Sequence, residues 1–140
     1  KVLHQEPVER RGIDGNLWVW QIPDYSRDYI VVADVARGDG NDFSAFHVFD
    51  IEEATQVAEF KAQVQTKDYG NLLFAVATEY NDALLVVENA NIGWAVIQQL
   101  IDRGYIGSKI TSVVVTEGVE ETGIASDYNS HPPATTKIGE

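Results

Sequence analysis

The sequence predicts an α/β domain built on a mixed five-stranded sheet, its first three strands antiparallel and its later strands parallel, with helices packed on it. Two apolar runs, Ile30-Val31-Val32-Ala33 and Ala83-Leu84-Leu85-Val86-Val87, have the length and composition of buried strands. Each ends on an acid, Asp34 in the first case and Glu88 in the second. Between them the chain first alternates apolar and polar residues and then changes to helical spacing, so strands give way to a crossover helix.

Residues 1–16 mix charge, Pro7 and two glycines without sustained periodicity and read as a linker or an edge segment. Leu17 to Ile22 alternates well enough for a short strand, with Trp18 and Trp20 on one face and Pro23-Asp24 ending it. Such a pair either covers the edge of a core or stacks on bases. The first main strand runs from Ile30 to Ala33, and Asp34 arrives as it gives out. The segment Arg37-Gly38-Asp39-Gly40-Asn41-Asp42 is dense in turn formers, so the chain reverses and returns as Phe43 to Phe49. Thr55 to Gln65 alternates again and supplies a third strand of an antiparallel meander.

From Lys67 to Tyr80 the apolar residues Tyr69, Leu72, Leu73, Val76 and Tyr80 recur at helical spacing. The strand ending in Glu88 follows. Ile92 to Arg103 is again helical, with Trp94, Ile97, Leu100 and Ile101 as its stripe and Gly104 as its stop. Ile110 to Val115 supplies the fifth strand, and beyond Thr116 the composition turns to Glu, Gly, Ser, Asn and Pro and reads as loop. Right-handed crossovers add the later strands beside the first one rather than beside the third, which places Asp34 and Glu88 next to each other.

At 140 residues the chain suits one domain, and no apolar run approaches the roughly 20 residues of a membrane span. An apolar signal-peptide core is absent from the N-terminal residues, which leads to the expectation of an intracellular setting. There is no cysteine, which removes disulfides and thiolate metal sites. With 22 acidic against 10 basic side chains, the formal charge of −12 argues against a broad basic surface for nucleic acid. His4, His47 and His131 show no metal-ligand spacing, and no Ser-His-Asp arrangement is present.

The acids at the strand ends are the candidates for chemistry. Carboxylates are the ligands of hard divalent cations, and adjacent strand ends fix two of them close together, because strands lie about 4.8 Å apart. The plain alternative is that Asp34 initiates a turn and Glu88 ends its strand in solvent.

The order of elements and the wording Tyr29-Ile30-Val31-Val32-Ala33-Asp34-Val35-Ala36-Arg37-Gly38, with Asp42-Phe43-Ser44-Ala45 after it, resemble the ribonuclease H-like fold. With Leu85-Val86-Val87-Glu88-Asn89-Ala90-Asn91-Ile92-Gly93, the chain is similar to the nuclease domain of the large terminase subunit of tailed bacteriophages, over about residues 17–140. Thr135-Thr136-Lys137-Ile138-Gly139 also looks like the approach to that family's next motif. The resemblance implies an endodeoxyribonuclease that cuts concatemeric DNA during genome packaging in the host cytoplasm. It implies double-stranded DNA as substrate, with the portal protein and the small terminase subunit as partners. By the same resemblance Asp34 and Glu88 are the catalytic carboxylates, and Asp34, Glu88 and Asp42 hold two Mg²⁺ or Mn²⁺ ions.

The chain departs from the family in two ways. The third catalytic acid is expected beyond Glu140, so the domain reads as truncated before its last helix and the fragment as weakly active or inactive. No Gly-x-x-x-x-Gly-Lys-Ser/Thr phosphate loop of an ATPase occurs. Two other readings stand beside the nuclease. One is an actin-like nucleotide binder, since Asp34 followed by Gly38, Gly40 and Ser44 is loosely similar to an acid and a phosphate-cradling hairpin. The other is a non-catalytic packaging or assembly module on the same scaffold.

Overall fold

The computed structural model describes residues 6–12, 14–36, 42–88, 93–116 and 119–121. In chain order the strands are β1 (Glu9–Arg11), β2 (Leu17–Val19), β3 (Tyr29–Asp34), β4 (Ser44–Asp50) and β5 (Thr55–Ala62). Helix α1 (Thr66–Glu79), β6 (Leu84–Glu88), α2 (Gly93–Asp102), β7 (Ile110–Thr116) and β8 (Val119–Glu121) follow. The sheet order is β1-β2-β5-β4-β3-β6-β7-β8. Strands β3, β4 and β5 form the antiparallel meander, and β6 and β7 add in parallel beside β3.

The five expected strands are therefore the contiguous centre of a sheet that is wider than five. The extra strands are three-residue edges, β1 and β2 on one side and β8 on the other. Glu9-Arg10-Arg11 carries no apolar alternation, because a charged edge strand is held by backbone pairing with Leu17–Val19 and needs no buried face. The third strand ends at Ala62, short of the expected Gln65.

Tyr29, Val31 and Ala33 of β3, Phe46 and Val48 of β4, and Leu85 and Val87 of β6 are buried on one face of the sheet. Against it lie Tyr69, Leu73, Val76 and Ala77 of α1 and Val96, Ile97 and Leu100 of α2. Both crossovers, β5 to β6 and β6 to β7, advance in the same direction along the sheet, and right-handed connections then put both helices on the same side. Val57 and Ala58 are both buried, against the period of 2. A bulge explains this: the register passes from Val48↔Ala58 to Phe49↔Gln56 and leaves Val57 extra, its carbonyl accepting from the N–H groups of Trp20 and Gln21.

Gly70 sits inside α1, where glycine usually costs about 1 kcal/mol relative to alanine. The Gln99 side chain of α2 occupies the place where a Cβ would be, 2.2 Å from its Oε1. Gln99 reaches across there to donate to the Lys67 carbonyl and to Asn71 Oδ1. No helix among the described residues is long and apolar enough to cross a membrane.

The opposite face of the sheet carries the alternate residues: Trp18, Glu59, Lys61, Ala45, His47, Ile30, Val32, Asp34, Leu84, Val86 and Glu88 are half-buried or exposed. Trp18 lies edge-on to Trp20, with ring centroids 6.1 Å apart, and under the Arg10 guanidinium. His47 is half-buried here, its Nδ1 3.0 Å from Gln56 Nε2.

At the end of the sheet remote from Asp34, the buried Asp50 accepts the backbone N–H groups of Glu52 and Glu53 at 2.9 and 3.1 Å. It also pairs with Arg27 at 3.1 Å, and that guanidinium is shared with Glu52 and Glu53. Removing the carboxylate would orphan two turn donors, while Arg27 would keep two of its acids. Asp50→Ala is therefore expected to lower stability by about 2 kcal/mol in urea unfolding, with divalent-ion affinity of the folded protein unchanged.

Candidate metal centre

The parallel register of β3 and β6, Val32↔Val86 and Ala33↔Val87, carries both strands to their acids at the same level. Asp34 also stands opposite Ala45 of β4, and Glu88 opposite Val113 of β7. Both carboxyl groups leave the sheet on the open face and lie in hydrogen-bond contact with each other. They rim a pocket of about 170 Å³ whose other lining residues are Val32, Ala33, Val86 and Val113. An acidic pair above an apolar floor is the result.

Two buried side chains hold the strand end that bears Asp34. Ser44 Oγ accepts the Ala36 N–H at 2.9 Å, closing the hairpin beyond Asp34. Tyr69 projects from α1, its ring near Phe46 and Phe60, and donates its hydroxyl to the Ala45 carbonyl at 2.7 Å. Ala45 is the residue across from Asp34, so a helix is tied to the rung that carries the acid. Burial raises the Tyr69 phenol far above its ordinary value and the charge of Asp34 adds to the rise, while the nearby Asp34 N–H opposes it. It remains a neutral donor at any working pH.

Glu88 is raised above its ordinary carboxyl range, first by burial, then by the charge of Asp34 and by the hydrogen bond to it. A neighbouring carboxylate disfavours the charged form of Glu88, and a cation placed beside it would relieve that cost.

Asp42 is exposed on the return into β4. Among the described residues no group of three or more Asp, Glu or His side chains surrounds a common point. Asn91, Gly38, Asp39 and Gly40 lie outside the described residues, as do His4, His131 and the stretch from 122 to 140. Ser44, a candidate for a phosphate-cradling hairpin, is buried with its hydroxyl committed to Ala36. Tyr69 is a supporting residue that the sequence pattern does not single out. Tyr69 stands on the apolar stripe of its helix, and only the sheet beneath tells where its hydroxyl ends.

The raised Glu88 fixes the sign of a pH effect. Between its ordinary value of 4.5 and the raised one the folded state binds more proton than the unfolded state, so stability falls as pH rises through the raised value. In thermal melts with chelator, Glu88→Gln is expected to raise the melting temperature at pH 7 and to change it less at pH 4; parallel profiles for the two proteins would contradict the shared-charge account. Tyr69→Phe keeps the ring packing but removes the hydroxyl's bond to the Ala45 carbonyl, an expected loss of about 1 kcal/mol in urea unfolding.

No family model matches the sequence, and no curated protein does. Solved structures do match the fold. The large terminase nuclease of thermophilic phage G20c with bound magnesium superposes with a TM-score of 0.66 at 23% identity, over 81% of this chain and 56% of that one. The large terminase nuclease domain of Thermus phage P74-26 gives 0.62 at 23% identity, over 79% and 53%. The G20c nuclease has also been solved with cobalt and with zinc. This chain spans little more than half the length of those domains. The strand order β5-β4-β3-β6-β7, the helices over one face and these superpositions give this chain the ribonuclease H-like fold of a phage large-terminase nuclease domain.

Proposed function

We propose that this chain is the nuclease domain of a phage genome-packaging terminase, a metal-dependent endodeoxyribonuclease that cuts concatemeric double-stranded DNA. The observation that carries this reading is the contact between Asp34 and Glu88 at the rims of adjacent parallel strands, in a sheet of terminase nuclease topology. The solved G20c nuclease binds magnesium, cobalt or zinc, which supports a divalent ion here. In this reading residues 17–140 belong to the nuclease domain, and the portal protein and small terminase subunit are its partners in packaging in the host cytoplasm.

The donor set fits Mg²⁺ or Mn²⁺. Two hard carboxylate oxygens face each other on fixed backbone, and the repulsion that raises Glu88 is relieved when a cation takes the place of the shared proton. Asp34 and Glu88, with Asp42 outside them, would hold such ions, which would orient an attacking water and neutralise charge on the scissile phosphate. The protein's own part is placement. Asp34 is held by β3 and by the Tyr69 and Ser44 hydrogen bonds around it, Glu88 is held by β6, and Val32 and Val86 form an apolar floor beneath them. Asp42, on the exposed return, is the outer member of the set.

Two other readings remain to be tested beside it. An actin-like nucleotide binder needs a phosphate cradle, and the Ser44 hydroxyl is already committed to a backbone N–H. A non-catalytic assembly module would keep the scaffold without metal affinity. In calorimetric titration with Mn²⁺ at pH 7.5, Asp34→Asn is expected to abolish binding and Asp42→Asn to weaken it by a smaller factor. In a supercoiled-plasmid assay with Mn²⁺, Glu88→Gln is expected to remove whatever nicking the unmodified chain shows. Equal loss of metal affinity in both Asp variants, or undiminished nicking by Glu88→Gln, would refute the two-carboxylate centre.

A further inference from the structure

On the reading that the acid pair is a nuclease centre, we propose that Lys61 and Phe43 form the adjoining subsite for an unpaired stretch of the DNA strand, Lys61 holding a backbone phosphate and Phe43 stacking on an unpaired base. The sheet register supplies the geometry. Lys61 of β5 stands opposite Ala45 of β4, and Ala45 stands opposite Asp34 of β3, so the three residues form one row. Continuing the parallel register one step beyond Ala33↔Val87 brings Glu88 into the same row. Lys61 and Asp34 are two strand spacings apart, about 10 Å, or roughly three nucleotide rises along one strand of B-form DNA. Between them Ala45 offers only a methyl group, so the corridor across the open face is clear of bulky side chains.

Lys61 is suited to this use by what it is not doing. In a chain of formal charge −12, Arg10, Arg11 and Arg27 are each matched by acids: Glu6, then Glu9 and Glu79, then Asp50, Glu52 and Glu53. Lys61 enters no ion pair among the described residues. Its ammonium instead lies 5.3 Å from the centroid of the Phe43 ring. Phe43 is 53% exposed, just ahead of β4, and contributes nothing to the core. A cation held beside an exposed aromatic face is the combination that tracks single strands without sequence preference, phosphate on the one and base on the other.

The neighbouring acids set the direction of the path. On the far side of Lys61 a pocket of about 390 Å³ is lined by Asp14, Gly15, Asn16, Trp18, Glu59 and Lys61, and its two carboxylates repel phosphate. The strand is thereby directed from the acid pair over Ala45 to Lys61 and the Phe43 rim, and away from β2. Attraction confined to one row lets so acidic a protein engage DNA without a basic surface.

The test is fluorescence anisotropy with a 20-base-pair DNA duplex bearing a single-stranded overhang, in Ca²⁺, from 25 to 200 mM KCl. Lys61→Gln is expected to weaken binding about five-fold at the lowest salt and to reduce the slope of log Kd against log salt by about 0.7–0.9, the loss of one phosphate contact. Lys61→Arg is expected to restore both. Phe43→Leu is expected to weaken binding of the overhang about five-fold with the slope unchanged. Mn²⁺ affinity measured without DNA should stay unmoved in all three. An unchanged salt slope in Lys61→Gln, or no DNA binding by the unmodified chain at any salt, overturns the subsite. Failure of the nuclease reading itself is a separate outcome, since it appears as loss of Mn²⁺ binding by the unmodified protein.

Discussion

The parallel pairing of β3 with β6 is the constraint on which the rest of the structure depends. Four residue pairs, from Ile30↔Leu84 to Ala33↔Val87, bring together segments that are more than fifty residues apart in sequence, and they do so with both strands running toward the same rim. Parallel strands cannot be joined by a tight turn, so the pairing requires a crossover, and α1 is that crossover. The helix then has to lie on the sheet, which buries Tyr69, Leu73 and Val76 and leaves the other face of the sheet without a helix among the described residues. The acidic pair, its pocket and the row to Lys61 all lie on that open face.

The same pairing sets a cost against a use. Burial and the charge of Asp34 raise Glu88 above its ordinary range, a cost that would weaken the fold if nothing else held the strand ends. The Tyr69 hydroxyl on the Ala45 carbonyl and the Ser44 hydroxyl under the Ala36 N–H reinforce the rim where that repulsion acts. At the opposite end of the sheet Asp50 meets the opposite situation, since Arg27 and two backbone N–H groups satisfy it. The buried Asp50 therefore serves the fold, whereas Asp34 and Glu88 are the pair proposed to take a cation.

Net charge misleads when it is read as a surface property. The value of −12 argues against nucleic acid only if positive charge must be spread widely. The described arginines are largely consumed in pairs with acids, some of them holding edges, such as Arg11 with Glu79 of α1. For the proposed DNA subsite the relevant charge is that of one row, in which Asp34 stands two strands from Lys61.

The central elements are legible along the chain. Apolar runs ending in Asp34 and Glu88, the change from period 2 to helical spacing after β5, and the stop at Gly104 follow from local pattern, and local pattern reflects which side chains a strand or a helix must bury. The handedness of crossovers then sufficed to put β6 beside β3. Edge strands β1 and β2 were not legible at their true extent, because pairing of backbone groups leaves no mark on side-chain periodicity. The bulge at Val57 and the tie from Tyr69 to Ala45 were likewise decided only by tertiary structure. A hydroxyl on an apolar stripe reads as core until the carbonyl it meets is in place. Asp42 shows the same limit, for its position near Asp34 in sequence does not decide where an exposed return carries it.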